Sequence, residues 1–113
     1  MTITAIKDII QGNIASYAKN KAQFNFCFAS DLMSDVLRID TDELLLLTGL
    51  ANMQAIRTAE MADINCIILA RGKKATAEMI ELAEESYITI IESPYSMFHI
   101  AGLLFQNQFK PLF

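Results

Sequence analysis

Residues 42–70 read DELLLLTGLANMQAIRTAEMADINCIILA, and this stretch decides the architecture. Leu44, Leu45, Leu46 and Leu47 form an apolar run bounded by Asp42-Glu43 and Thr48-Gly49, as a central parallel strand covered on both faces requires. Leucine also favours helix. Asn52 decides for a strand, because as the N-cap of the next segment it makes the run end before a helix begins. Over Met53–Met61 the positions of Ala55, Ile56, Ala59 and Ala62 give a narrow apolar stripe, with Gln54, Arg57 and Glu60 turned outward. The small alanines let this helix lie close to a sheet. Ile64 and then Cys66, Ile67, Ile68 and Leu69 supply a second buried strand, ending at Arg71-Gly72-Lys73-Lys74. Two parallel strands need such a helical return, and it is right-handed.

Upstream, residues 4–11 read as a helix whose Ile6, Ile9 and Ile10 share a face and whose C-terminal cap is Gly12. Residues 14–18 form at best an edge strand, and Asn20-Lys21-Ala22 a turn. Phe24, Phe26 and Phe28 alternate with Asn25, Cys27 and Ala29, the period of a strand with one aromatic face. Ser30 or Asp31 then caps a short helix over 32–38, with Leu32, Met33, Val36 and Leu37 facing inward. Downstream, Thr76 caps a helix that runs to Glu85, with Met79, Leu82 and Ala83 inside and Glu78, Glu81, Glu84 and Glu85 on a solvated outer face. Residues 87–91 are a further strand. Ser93-Pro94 opens a last helix, with Met97, Phe98, Ala101, Leu104 and Phe105 on its apolar side, and residues 106–113 show no clear period. The whole predicts an α/β fold: a three-layer sandwich, a mostly parallel four- or five-stranded sheet with helices on both faces.

A chain of 113 residues is one domain by prior, large enough for a core without disulfides or metal. The net charge of −4 has the wrong sign for affinity won by neutralising phosphates, which disfavours nucleic acid. Cys27 and Cys66 lie in apolar runs where free cysteine packs as a small hydrophobe. With no CxxC and no signal peptide, a reduced cytoplasmic setting is expected. The longest apolar runs are too short to span a bilayer.

In open α/β sheets, ligands bind beyond the carboxyl ends of the strands. The candidate rim is therefore Ser30-Asp31, Thr48-Gly49 with Asn52, Arg71-Gly72-Lys73 and Glu92-Ser93. Helix N-termini and the cations Arg71 and Lys73 there suit a small anion. Each residue also has a plainer role. Ser30, Asn52, Thr76 and Ser93 serve as helix caps, Thr48-Gly49 as a strand-end turn, and Arg71-Gly72-Lys73-Lys74 as a solvated loop. One glycine does not make a phosphate cradle of the GxGxxG type. His99 amid Phe98 and Ile100 reads as a packed or partly exposed histidine, and no His/Cys spacing supplies a metal site. Glu92, without a paired carboxylate or nucleophile, reads as a surface residue. Met33, Met53, Met61, Met79 and Met97 read as core filler.

The run Ser30-Asp31-Leu32-Met33-Ser34-Asp35-Val36, then Leu47-Thr48-Gly49 leading to Ala55-Ile56-Arg57-Thr58-Ala59, then Ile67-Ile68-Leu69-Ala70-Arg71-Gly72-Lys73-Lys74, resembles the DRTGG domain family. Ala83-Glu84-Glu85 and Ser93-Pro94-Tyr95-Ser96-Met97-Phe98 extend the similarity over residues 26–104 of a single domain spanning 1–113. The resemblance implies an α/β module like the N-terminal domain of HPr kinase/phosphorylases, also found fused to CBS-domain pairs and phosphotransacetylases, with a regulatory or assembly role. The literal DRTGG string is absent: Gly49-Leu50-Ala51-Asn52-Met53 stands in its place. No GxxxxGKS/T loop is present either, so kinase chemistry is not implied.

The expectation is a non-catalytic regulatory or interaction domain that senses a small anionic metabolite or nucleotide at the rim, without cofactor or metal. Hydrophobic content of 53% in so small a chain points to a homodimer. Two alternatives stand beside it. One is a scaffold whose acidic helix face or aromatic tail docks a larger metabolic protein. The other is a small enzyme in which Asn52, Arg71 and Glu92 converge on a substrate.

Overall fold

The computed structural model describes residues 1–18 and 23–113. The turn expected at Asn20-Lys21-Ala22 lies outside them. In chain order the elements are α1 (Ile3–Ile9), β1 (Asn13–Ser16), β2 (Phe26–Ala29), α2 (Met33–Val36), β3 (Leu44–Thr48), α3 (Met53–Met61), β4 (Cys66–Leu69), α4 (Ala77–Glu85), β5 (Thr89–Glu92) and α5 (Met97–Gln106). They form one five-stranded sheet of order β1-β5-β4-β3-β2. Strands β2 to β5 run parallel, and β1 lies antiparallel on the β5 edge.

The decisive stretch folds as its pattern requires. Every residue of β3 and of β4 is buried, because each strand has a neighbour on both sides and helices over both faces. Register is tight: Leu45 pairs with Cys66, Leu46 with Ile67 and Leu47 with Ile68. Alternate residues feed opposite layers. Leu44, Leu46, Ile67 and Leu69 pack with Met33, Val36, Ala55, Ile56, Ala59, Met79 and Ala83 from α2, α3 and α4. Leu45, Leu47, Cys66 and Ile68 pack with Ile3, Ile6, Ile100 and Leu104 from α1 and α5. The parallel strands follow one another in order, so three successive right-handed returns put α2, α3 and α4 on the same face. The opposite face is closed from the two ends of the chain.

Several local expectations are overturned by tertiary contacts. The left-handed residue after α1 is Gln11 (φ 51°), not Gly12. Gly12 is required for another reason: a Cβ there would stand 2.5 Å from Ile91 Cγ2. Phe24 does not share a face with Phe26 and Phe28. It precedes the strand and packs in the α1/α5 layer, whereas the other two pack in the opposite one. The cap position of α2 is Leu32, with no side-chain cap, and of its expected inward residues Met33 and Val36 are buried while Leu32 and Leu37 are exposed. Strand β5 begins only at Thr89, since Tyr87 is left-handed (φ 58°) and exposed. Helix α5 starts at Met97, capped by Ser96 rather than by Ser93. Its buried side is Ile100 and Leu104; Phe98 and Phe105 are exposed.

The outer edge of β2 is covered by the C-terminal segment. Lys110 donates to Asn25 O at 2.8 Å and accepts from Cys27 N at 3.1 Å, a one-residue parallel bridge. Phe113 then meets Phe28 edge-to-face at 6.2 Å. Pro111 follows Lys110 and has no N–H to extend that ladder.

Candidate functional site

Because β2 to β5 are parallel, their carboxyl ends reach one rim, and the strand ends and the loops that leave them carry the candidate rim residues. After β2, Ser30 makes a local turn, its hydroxyl accepting from Leu32 N at 3.0 Å. Asp31 turns across to the next strand. Its Oδ1 accepts from the Thr48 hydroxyl at 2.8 Å and from Gly49 N at 2.7 Å. Thr48 is fully buried, and its Oγ1 also accepts from Leu50 N at 3.1 Å. The end of β3 thus holds a carboxylate supplied by the chain itself.

After β4 the backbone reverses through two left-handed residues, Arg71 (φ 60°) and Gly72 (φ 72°), with Lys73 N donating to Ala70 O at 3.3 Å. Glycine adopts this conformation freely; arginine is strained in it. The turn is held from outside, Arg71 N donating to Tyr95 O at 2.7 Å and Gly72 N to Ser93 O at 2.8 Å. These bonds tie the Arg71 loop to the segment that leads into α5. Tyr95 in turn stacks on the exposed His99, ring centroids 4.0 Å apart.

A cavity of about 350 Å³ opens at this rim, lined by Asp31, Gly49, Ala70, Arg71, Lys73, Ser96, Met97 and Phe98. It brings together four of the expected residues: Asp31, Gly49, Arg71 and Lys73. Two cations face one carboxylate there, a local positive excess on a chain of net charge −4. Ser96, Met97 and Phe98 were not foreseen as site residues. The signal that finds them is the start of α5, obscured in the sequence by the competing Ser93-Pro94 cap. A second cavity, of about 530 Å³, lies off the rim between Phe28, α2 and the C-terminal segment. Its single cation, Arg38, is opposed by Asp35 and Asp40, which makes it unsuited to an anion.

The other expected residues are committed elsewhere. Asn52 Oδ1 accepts from Ala55 N at 3.1 Å as the cap of α3. Ser93 is buried, its hydroxyl donating to Ile10 O at 2.7 Å and accepting from Tyr95 N at 3.2 Å. Ser30, Thr48 and Gly72 are likewise outside the cavity lining. Glu92, expected on the surface, is 7% exposed and fully engaged. Its Oε1 accepts from Asn13 Nδ2 at 3.2 Å and lies 3.5 Å from Lys74 Nζ, and its Oε2 accepts from Ala75 N at 2.8 Å. This carboxylate clamps β1, β5 and the loop before α4. Asn52, Arg71 and Glu92 therefore do not converge.

Burial pushes the Cys27 thiol up to about 12 from an ordinary 9.0. Cys66 is raised further, first by desolvation and second by Cys27. Both are packing groups, remote from thiolate chemistry. Among the described residues no cluster of three or more His, Cys, Asp or Glu is placed to hold a metal, and no helix is long and apolar enough to cross a membrane.

No family model and no curated protein matches the sequence. Among solved structures, the chain is similar to the crystal structure of the CBS and DRTGG domains of the regulatory region of Clostridium perfringens pyrophosphatase, complexed with its activator diadenosine tetraphosphate. The TM-score is 0.81 at 16% identity, over 95% of this chain and 47% of that one. This chain thus spans about half the length of the chain it matches. The likeness is one of fold, and that neighbour is a regulatory region that binds a nucleotide.

Proposed function

We propose that this chain is a single, non-catalytic regulatory domain of the DRTGG type that senses a small anionic metabolite or nucleotide at the carboxyl rim of its sheet. The observation that carries the reading is the rim cavity, where Arg71 and Lys73 stand beside the first turn of α5. Cations, and a helix N-terminus next to them, favour a bound anion. The regulatory, nucleotide-binding setting of the fold neighbour supports the sensing role. The engagement of Asn52 and Glu92 in capping and clamping weighs against the enzyme alternative. Membership of the DRTGG family and a cytoplasmic setting belong to the same proposal.

A homodimer is part of this reading. Phe105 on α5 is 69% exposed, beside a shallow apolar groove with Cys27, Ala29, Ala101, Phe109 and Pro111 at the edge of the sheet. A second copy is the occupant the composition favours, since 53% apolar residues exceed what so small a core hides. Sedimentation of Phe105→Lys against the parent chain tests it: a dimer that becomes a monomer supports the interface, and a parent chain that sediments as a monomer removes it.

The sensing role is tested by thermal shift of the purified chain with phosphorylated and carboxylated probes, because a ligand that binds only the folded state raises its stability. A concentration-dependent rise that disappears in Arg71→Ala supports the rim site. A flat response across the panel overturns it and turns the search to a docked protein partner.

A further inference from the structure

We propose that the rim cavity binds nucleoside monophosphates in preference to sugar phosphates, free nucleosides and inorganic phosphate, with the phosphate on Arg71 and Lys73, the base against Phe98 and a sugar hydroxyl on Asp31. This rests on the anion-sensing reading above and narrows it to one chemical class. The volume of about 350 Å³ suits a single small ligand. Three chemically different groups line it, and each accounts for a different part of such a molecule.

Arg71 and Lys73 supply the phosphate end. Arginine's planar fork matches phosphate oxygens in pairs, and lysine adds a point charge. The backbone of Arg71 is held in a left-handed turn by Tyr95 O and by its neighbour's bond to Ser93 O, so the loop bearing the cation is anchored before any ligand arrives. Preorganisation of that kind lowers the cost of binding.

Phe98 supplies the aromatic surface. It is 90% exposed yet lines the cavity, on the first turn of α5. A bare inorganic anion, a carboxylic acid or a sugar phosphate leaves that ring in water. A nucleobase covers it by stacking, an interaction open to any base.

Asp31 supplies the discrimination. Its Oδ1 is taken by Thr48 and Gly49, and its Oδ2 accepts nothing from the described residues. A carboxylate oxygen lining the same cavity as the cations repels a bare anion and accepts from a hydroxyl. Asp31 therefore disfavours inorganic phosphate and favours a ligand that carries hydroxyls next to its phosphate. A nucleoside monophosphate satisfies the cations, the ring and the carboxylate together.

Isothermal titration of the full chain with adenosine 5′-monophosphate, adenosine, ribose 5-phosphate and inorganic phosphate tests this. The monophosphate is expected to bind about tenfold or more tighter than ribose 5-phosphate, as a stacked base implies, and tighter than adenosine. Phe98→Ala should remove that advantage and leave ribose 5-phosphate unchanged. Asp31→Asn should raise the affinity for inorganic phosphate and narrow the lead of the monophosphate. Arg71→Ala should weaken every phosphorylated probe. Unfolding curves of each variant confirm that the fold is retained. Equal binding of the monophosphate and ribose 5-phosphate, or a Phe98→Ala variant that binds both as before, overturns the nucleotide class while leaving an anion site. A change in sedimentation of Phe98→Ala without a change in monophosphate binding overturns it too, and assigns the ring to an interface between copies. Binding that ignores Arg71→Ala, or no binding of any phosphorylated probe, removes the anion site itself.

Discussion

Asp31 accepts a 2.7 Å hydrogen bond from the N–H of Gly49, a backbone donor at the end of β3 that would otherwise be open to a ligand. The same oxygen accepts from the buried Thr48 hydroxyl, so one exposed carboxylate joins the ends of β2 and β3. Asp31→Ala leaves the Thr48 hydroxyl without its acceptor. An expected loss of about 1–2 kcal/mol in urea unfolding follows from an unmade bond at a buried polar group. A change within a few tenths of a kcal/mol would show that the loop re-forms the contact by other means.

The Glu92 clamp should be worth more. Glu92→Ala removes the acceptor for Ala75 N and Asn13 Nδ2 from a nearly buried position. The expected cost is about 3 kcal/mol, because hydrogen bonds to a charged group are the stronger kind. Glu92→Gln keeps one acceptor oxygen and should lose less than half as much. Equal losses for the two variants would show that shape, not hydrogen bonding, holds the clamp.

Two glycines should respond in opposite directions. A Cβ at Gly12 meets Ile91 Cγ2 at 2.5 Å, whereas one at Gly102, inside α5, meets nothing within 4 Å. Gly12→Ala is expected to destabilise by about 1–3 kcal/mol through overpacking. Gly102→Ala is expected to stabilise by about 0.5–1 kcal/mol through helix propensity and a less flexible unfolded chain. Urea midpoints measured side by side decide both.

The two thiols set an alkaline limit. Cys27 and Cys66 bind their protons more tightly in the folded chain than in the unfolded one. Their contribution is intact below the ordinary value of 9.0 and falls as pH rises from there through the folded values. The slope is about 1.4 kcal/mol per pH unit for each thiol. Stability of a Cys27→Ala/Cys66→Ala variant should therefore decline less between about pH 9 and 11. A thiol reagent at neutral pH should react slowly with the folded parent chain and fast once it is unfolded, and equal rates would refute the burial argument.

Asn52→Ala separates capping from ligand binding. The side chain holds Ala55 N and is absent from the cavity lining, so the variant should lose about 1 kcal/mol of stability and keep the binding of any phosphorylated probe. A loss of binding at unchanged stability would return Asn52 to the site.

The sequence by itself determined the β3-α3-β4 unit, the α4 cap at Thr76 and the fold class. Those signals are local: four leucines in a row suit a strand buried on both faces once Asn52 fixes where the next helix begins, and Asn52 and Thr76 each satisfy an amide three residues on. It also placed Asp31, Gly49, Arg71 and Lys73 on one rim, since parallel strands bring their carboxyl ends together. Tertiary structure decided the rest, wherever a side chain's partner lay far along the chain. Ser93 looks like a cap, but its hydroxyl is claimed by Ile10 O, 83 residues away, and α5 starts later. Glu92 looks like a surface acid, but Asn13 and Ala75 claim it. Phe98 fits an apolar helix stripe, yet only the packing of α5 against the sheet settles that Ile100 and Leu104 go inward and the ring lies open at the cavity. Periodicity tells which residues share a face. Which face the core takes depends on what packs against it.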